Sequence, residues 1–292
     1  MKQVLLVDID SKIPNLALMQ VSSHFRAKGY DVGFNIGDPD RVWISCIFRK
    51  NRTKALGIAK IFPDAQVHVG GSGVNYNWLP EEIQKVKPDY NLYPSSYSQG
   101  FTTRGCIRNC RFCIVREKEG MLQRWQHVKE FYDSRFKEIM LMDNNWLADK
   151  EWFFENTDFI LSHNLKIIEH GMDIRVLDEE IAQRLSKLKF KGCMHFAFDN
   201  MKDEKAVRKG IELLKGAGIN LRSKVQFYVL VGYNTAPEED VYRCRILKEL
   251  GTNPFVMPYV KNEWTKKIAR WANRKWIFWS CDIDEYQKEV RE

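Results

Sequence analysis

Residues 101–113 read FTTRGCIRNCRFC and carry Cys106, Cys110 and Cys113 in CxxxCxxC spacing. Three thiolates that close in sequence can converge on one inorganic centre. Iron–sulfur clusters are normally held by four cysteines, and zinc sites close at four ligands. This stretch offers three. Either a distant residue supplies the fourth ligand, or one metal position stays open to something that is not protein. An open iron is a place where chemistry can happen.

A zinc knuckle would bring a second ligand pair within a few tens of residues, and none is found: His127, the nearest histidine, stands alone. A disulfide with a spare thiol is disfavoured, because MKQVLLVDID has its apolar run cut by Asp8 and Asp10 and reads as a strand, not a secretory signal. The expectation is a reducing, cytoplasmic setting and a cluster.

GCIRNCRFC resembles the cluster-binding loop of the radical S-adenosylmethionine (radical SAM) superfamily, including Phe112 before the last cysteine. The resemblance implies a [4Fe-4S] cluster on Cys106, Cys110 and Cys113, with the amino and carboxylate groups of S-adenosylmethionine (SAM) on its open iron. It also implies one-electron cleavage of SAM to methionine and a 5′-deoxyadenosyl radical that abstracts a substrate hydrogen. An oxygen-sensitive enzyme of that kind takes its electron from a donor such as flavodoxin or ferredoxin.

At 292 residues the chain is long enough for one large or two modest domains. No apolar run approaches the roughly 20 residues of a membrane span, so no membrane partner is expected. The net charge of +8 favours an anionic partner. Cys46, Cys193, Cys244 and Cys281 are scattered singly, so no second cluster is expected.

Residues 1–95 alternate apolar runs with helical patterns: KQVLLV, a helix over 14–28 ending at Gly29, YDVGF, RVWISCIF, a helix near 53–61, and AQVHVGG. The expectation is an α/β fold beginning with a doubly wound parallel-sheet domain. This part is similar to the cobalamin-binding domain of one radical SAM subfamily, with GGSG at 70–73 where such domains place a glycine-rich loop. No DxHxxG is present, and His24 and His68 read as structural. A flavodoxin-like domain repurposed for substrate is preferred, and cobalamin is the less favoured reading.

PDYNLYPSSYSQ at 88–99 reads as a linker. Residues 96–292 then repeat strand and helix, with strands expected near 98–103, 137–142, 166–170, 192–198, 221–231 and 254–259. Helical patterns fall at about 125–134, 149–162, 178–188, 202–216, 237–250 and 263–274. Such a beat predicts a partial (β/α)6 TIM-type barrel, whose functional residues follow the C-terminal ends of the strands.

The resemblance gives those residues roles. Asp143, with Asn144, would receive the SAM amino group, although no Gly-Gly-Glu follows the second strand. Arg175 would pair with the SAM carboxylate, unless Asp173 locks it. Asp199 would accept hydrogen bonds from the ribose hydroxyls, and Gly232 would let the backbone approach the adenine. Met257 and Tyr259 are placed either towards the ligand or in the core.

KNEWTKKIARWANRKWIFW, from Lys261, puts Trp264, Ile268 and Trp271 on one helical stripe and Lys267, Arg270 and Arg274 on a basic one beside it. One reading is a last helix with a solvated basic face. The other is an edge that holds an anionic substrate, nucleic acid included, over the barrel mouth. The function expected is therefore a radical SAM enzyme of unspecified substrate. A cobalamin-dependent methyltransferase and a non-enzymatic iron–sulfur sensor are the alternatives.

Overall fold

A computed structural model describes residues 1–286; residues 287–292, the end of the second domain as read from sequence, lie outside the described residues. The protein is α/β with several parallel sheets. It divides into two compact units, residues 1–105 with 114–142 and residues 106–113 with 143–292. Residues 96–105 and 114–142, expected in the second domain, pack with the first unit.

In the first unit β1 (Gln3–Asp8), β2 (Asp31–Gly33), β3 (Arg41–Ser45) and β4 (Gln66–Gly70) form a parallel sheet of order β2-β1-β3-β4. Parallel strands covered on both faces need near-continuous apolar runs, and QVLLVD and RVWIS supply them. Val4, Leu6 and Trp43 pack with Leu18, Val21 and Phe25 of the helix Leu16–Ala27 and with Ile83. Leu5, Val42 and Ile44 form a separate cluster with Ala55 of the helix Arg52–Ala59. Asn15 caps the first of these helices, accepting from the Leu18 N–H at 3.1 Å and donating to Ser45 Oγ at 2.8 Å. Gly29 at φ 78° ends it, as the sequence predicts.

The turn after β3 is organised by Asp10. Its carboxylate accepts from the Ile47 N–H at 2.7 Å, the Phe48 N–H at 3.0 Å and Asn51 Nδ2 at 2.8 Å. GGSG closes over the same turn: Gly71 has φ 100°, and a Cβ there would stand 2.4 Å from the Cys46 carbonyl oxygen.

Residues 88–97 differ from a loose linker, because Tyr90 is buried and its hydroxyl donates to the Phe131 carbonyl at 2.6 Å and accepts from the Gln99 N–H at 3.0 Å. β5 (Ser98–Gly100) and β8 (Glu138–Leu141) pair in parallel, and β6 (Thr103–Arg104) and β7 (Gln123–Arg124) form a short antiparallel pair. The helix expected over 125–134 contracts to Val128–Phe131, since Tyr132 already has extended backbone.

The second unit holds β9 (Lys166–Ile168), β10 (Lys189–Phe190), β11 (Met194–Ala197), β12 (Val225–Val231) and β13 (Asn253–Pro258). β9 pairs with β10, and β11-β12-β13 form a parallel sheet. Helices Lys150–Ser162, Glu179–Lys187, Glu204–Gly216, Pro237–Glu249 and Glu263–Ala272 lie close to the expected ranges. The strand expected from 221 starts later because Asn220 caps one helical turn, Leu221–Lys224. Along β12, Val225, Phe227, Val229 and Val231 are buried while Gln226, Tyr228 and Leu230 are half-buried. One face of this sheet is sealed; the other stays accessible.

Candidate functional site

The accessible face gathers polar and aromatic side chains towards the C-terminal ends of its strands. Phe255, Met257 and Tyr259 are exposed by 40%, 36% and 54%, so the last two are not core residues. The 106–113 loop sits at these strand ends. Phe112 meets Tyr233 edge-on with ring centroids 5.4 Å apart, and Tyr233 meets Tyr259 at 4.7 Å. Arg108 anchors the loop from the other side through an Nε–Oδ2 ion pair of 2.8 Å with Asp173.

Within the loop, the Arg108 N–H donates to Cys106 Sγ at 3.3 Å, and the Cys113 N–H donates to the Cys110 carbonyl at 2.9 Å. Cys106 and Cys110 are partly buried and Cys113 is exposed. Burial pushes the Cys110 thiol up; Arg175 opposes this, while Cys113, Cys106 and Asp199 reinforce it. The three sulfurs therefore share one electrostatic neighbourhood with Arg175 and Asp199. Among the described residues, no three His, Cys, Asp or Glu side chains stand close enough to hold a metal ion as they are. The donor set itself, three thiols on one short loop with a backbone N–H already directed at sulfur, fits an iron–sulfur cluster.

Arg175 is held by its own chain. Its Nε lies 2.7 Å from Asp173 Oδ1, its Nη2 3.2 Å from Asp173 Oδ2, and its Nη1 3.2 Å from Asp203. The Asp173–Arg175 pair suggested by the sequence is therefore present. Burial raises the Asp173 carboxyl, but hydrogen bonds from Arg175 and Arg108 outweigh it and hold the group below the ordinary carboxylate range.

Asp143 is buried at the entry to this unit. Asn145, given no role from sequence, reaches Asp173 with Nδ2 at 3.5 Å, and its buried Oδ1 has no hydrogen-bond partner. Asn144 lies between them, and both Asp143 and Asn144 have partners. Asp199 stands just after β11, where its Oδ1 accepts from the Leu230 N–H at 2.8 Å. Burial raises its carboxyl against that hydrogen bond and the charges of Arg243 and Arg175. Gly232 follows β12 with φ 73°, a conformation that itself calls for glycine, and its N–H donates to Asp240 Oδ2 at 3.1 Å. Beneath this turn Asp240 pairs with the wholly buried Arg243 at 2.5 Å, and Arg243 donates to the carbonyls of Phe198 and Leu230.

The basic stripe is corrected in one respect. The helix carrying Lys267 and Arg270 ends at Ala272, because the Asn273 amide turns back to pair with both the N–H and the carbonyl of Val256. Arg274 is exposed and stands just before the next helix, Lys275–Ser280, without a side-chain cap bond to it.

A second group goes unseen in the sequence. Glu169, buried just after β9, accepts from the His195 N–H at 2.7 Å and from His195 Nδ1 at 2.9 Å, and from the Gly171 N–H at 2.7 Å. His195 stacks on Tyr228, with centroids 5.1 Å apart and planes 7° from parallel. A carboxylate only accepts, so it fixes the proton on Nδ1 and leaves Nε2 as the basic nitrogen. The one signal for it is His195 within MHFAF, out of phase with the buried residues of the strand.

No family model matches this chain, and no curated protein is significantly similar to it.

Proposed function

We propose that this protein is a radical SAM enzyme, with a doubly wound N-terminal domain followed by a partial (β/α)6 barrel. The observation that carries the reading is the anchoring of the three-cysteine loop at the C-terminal strand ends, by Arg108 on Asp173 and by Phe112 on Tyr233. Parallel order β2-β1-β3-β4 with apolar layers on both faces supports the first domain. The succession of strands and helices from 98 to 272 supports the second.

Cys106, Cys110 and Cys113 would hold a [4Fe-4S] cluster, which when bound supplies the electron that splits SAM into methionine and a 5′-deoxyadenosyl radical. The chain's own residues bind and orient. Arg175 takes the SAM carboxylate by exchanging Asp203, while Asp173 keeps the guanidinium plane fixed. Asp143, with Asn144, would receive the amino group. Asp199 would accept hydrogen bonds from the ribose hydroxyls. Gly232 keeps the backbone bare beside the adenine, and the Phe112–Tyr233–Tyr259 rings hold the loop at the strand ends. The electron comes from a cytoplasmic donor such as flavodoxin or ferredoxin.

The test is anaerobic reconstitution with iron and sulfide, reduction, addition of SAM, and assay of 5′-deoxyadenosine. Formation that is lost in Cys110→Ala supports the enzyme. A loaded, reducible cluster that binds no SAM would sink the proposal and leave an iron–sulfur sensor.

A further inference from the structure

The opposite ends of the same strands hold a cleft of about 510 Å³, lined by Arg222, Asn253, Lys275, Trp276, Trp279 and Ser280. Asn253 opens β13 and Arg222 precedes β12, whereas the cysteine loop meets residues that follow those strands. β12 spans seven residues, so the two places are roughly 20 Å apart along it. The cleft is a separate site, independent of the proposed radical chemistry.

Its walls combine two features. Trp276 is 73% exposed, the most exposed tryptophan among the described residues, and presents a large aromatic surface with no described ring stacked on it. Trp279 forms the floor: its indole N–H donates to Asn253 Oδ1 at 2.9 Å, and the Arg222 guanidinium lies 4.2 Å from its ring centroid. Asn253 in turn donates to the Arg222 carbonyl at 2.7 Å, which fixes the turn that carries the guanidinium. Lys275 places its ammonium 3.9 Å from Cys193 Sγ. Among the described residues no carboxylate lines the cleft.

We propose that this cleft binds single-stranded nucleic acid, with a base stacked on Trp276 and neighbouring phosphates on Arg222 and Lys275. An aromatic platform beside cations that lack a carboxylate partner is the arrangement that recognises unpaired strands, because every base has a π face and every linkage a charge. A cleft of this size admits one nucleotide.

The test is fluorescence anisotropy of a labelled oligouridine of about 12 nucleotides, within the usual site size for such strands, with the full chain at low and at high salt. Binding should weaken as salt rises. Trp276→Ala should weaken it roughly tenfold at all salts, as loss of a stacked base does. Arg222→Gln with Lys275→Gln should lower the slope of log affinity against log salt by about 1.4, the value for two phosphate contacts on a single strand. Trp276 and Lys275 are exposed, so circular dichroism of the variants should match wild type. The proposal is overturned if oligouridine does not bind at low salt, or if all variants bind like wild type. It is equally overturned if inorganic polyphosphate or anionic vesicles compete as well as the oligonucleotide, since bare charge would then suffice.

Discussion

Asp240→Ala removes one partner of an ion pair that water does not reach. Arg243 is wholly buried, donates to the Phe198 and Leu230 carbonyls, and has a buried Nε without a partner among the described residues; Asp240 is its ion-pair partner at 2.5 Å, and Asp199 feels its charge from further away. Removing one member of a buried pair costs about 3–5 kcal/mol, because the remaining charge stays desolvated. Asp240 also receives the Gly232 N–H and the Thr235 hydroxyl, two further bonds that alanine cannot replace. The expected loss is therefore about 4 kcal/mol, or roughly 8–16 °C in the melting temperature of a unit of this size. Urea unfolding followed by tryptophan fluorescence measures it. Adding Arg243→Met, which removes the orphaned charge and fills most of its volume, should recover more than half of the loss. A single-variant loss below about 1 kcal/mol, or no recovery in the double variant, would refute the reasoning.

Gly71→Ala should destabilise the first unit by more than about 2 kcal/mol in the same assay, because the new Cβ meets the Cys46 carbonyl oxygen at 2.4 Å on a backbone with φ 100°. Asp173 has a folded carboxyl held below its ordinary value of 3.8, so its contribution is full above that pH and is lost as pH falls through the folded value. Asp173→Asn should accordingly flatten the acid limb of the stability profile below pH about 4, and an unchanged limb would remove the Arg108 and Arg175 pairings as its cause. Tyr233→Ala removes the ring that Phe112 meets edge-on and should raise protease cleavage within 106–113 several-fold with little change in global stability, a local opening. Asn15→Ala should cost about 1–2 kcal/mol, through the lost cap and the unpaired Ser45 hydroxyl.

Strand and helix positions are largely legible because apolar runs and 3.6-residue periodicity report burial directly, as in QVLLVD and in EEIAQRLSK. Pairing at a distance is what the sequence hides. Asp173 and Arg175 stand two residues apart and suggest each other, yet Arg108, 65 positions away, completes the triad. Glu169 and His195 lie on different strands, and each is unremarkable until the fold brings them within 2.9 Å. The helix break after Ala272 is hidden because Asn273 and Arg274 are tolerable helix residues; a tertiary bond to Val256 decides it. Turn formers surround Tyr90 and give its segment the look of a linker, and burial of one aromatic ring overrides them.

Asp10 has a consequence for anything that approaches the first sheet. Where β1 lies between β2 and β3 the winding direction reverses, and beyond the carboxyl ends of such strands α/β sheets usually receive their ligands. The backbone N–H groups of Ile47 and Phe48 are already filled by a carboxylate tethered to the same chain. Asp10 behaves as a resident competitor whose concentration dilution cannot lower. Any group that would use these two N–H groups must first evict it.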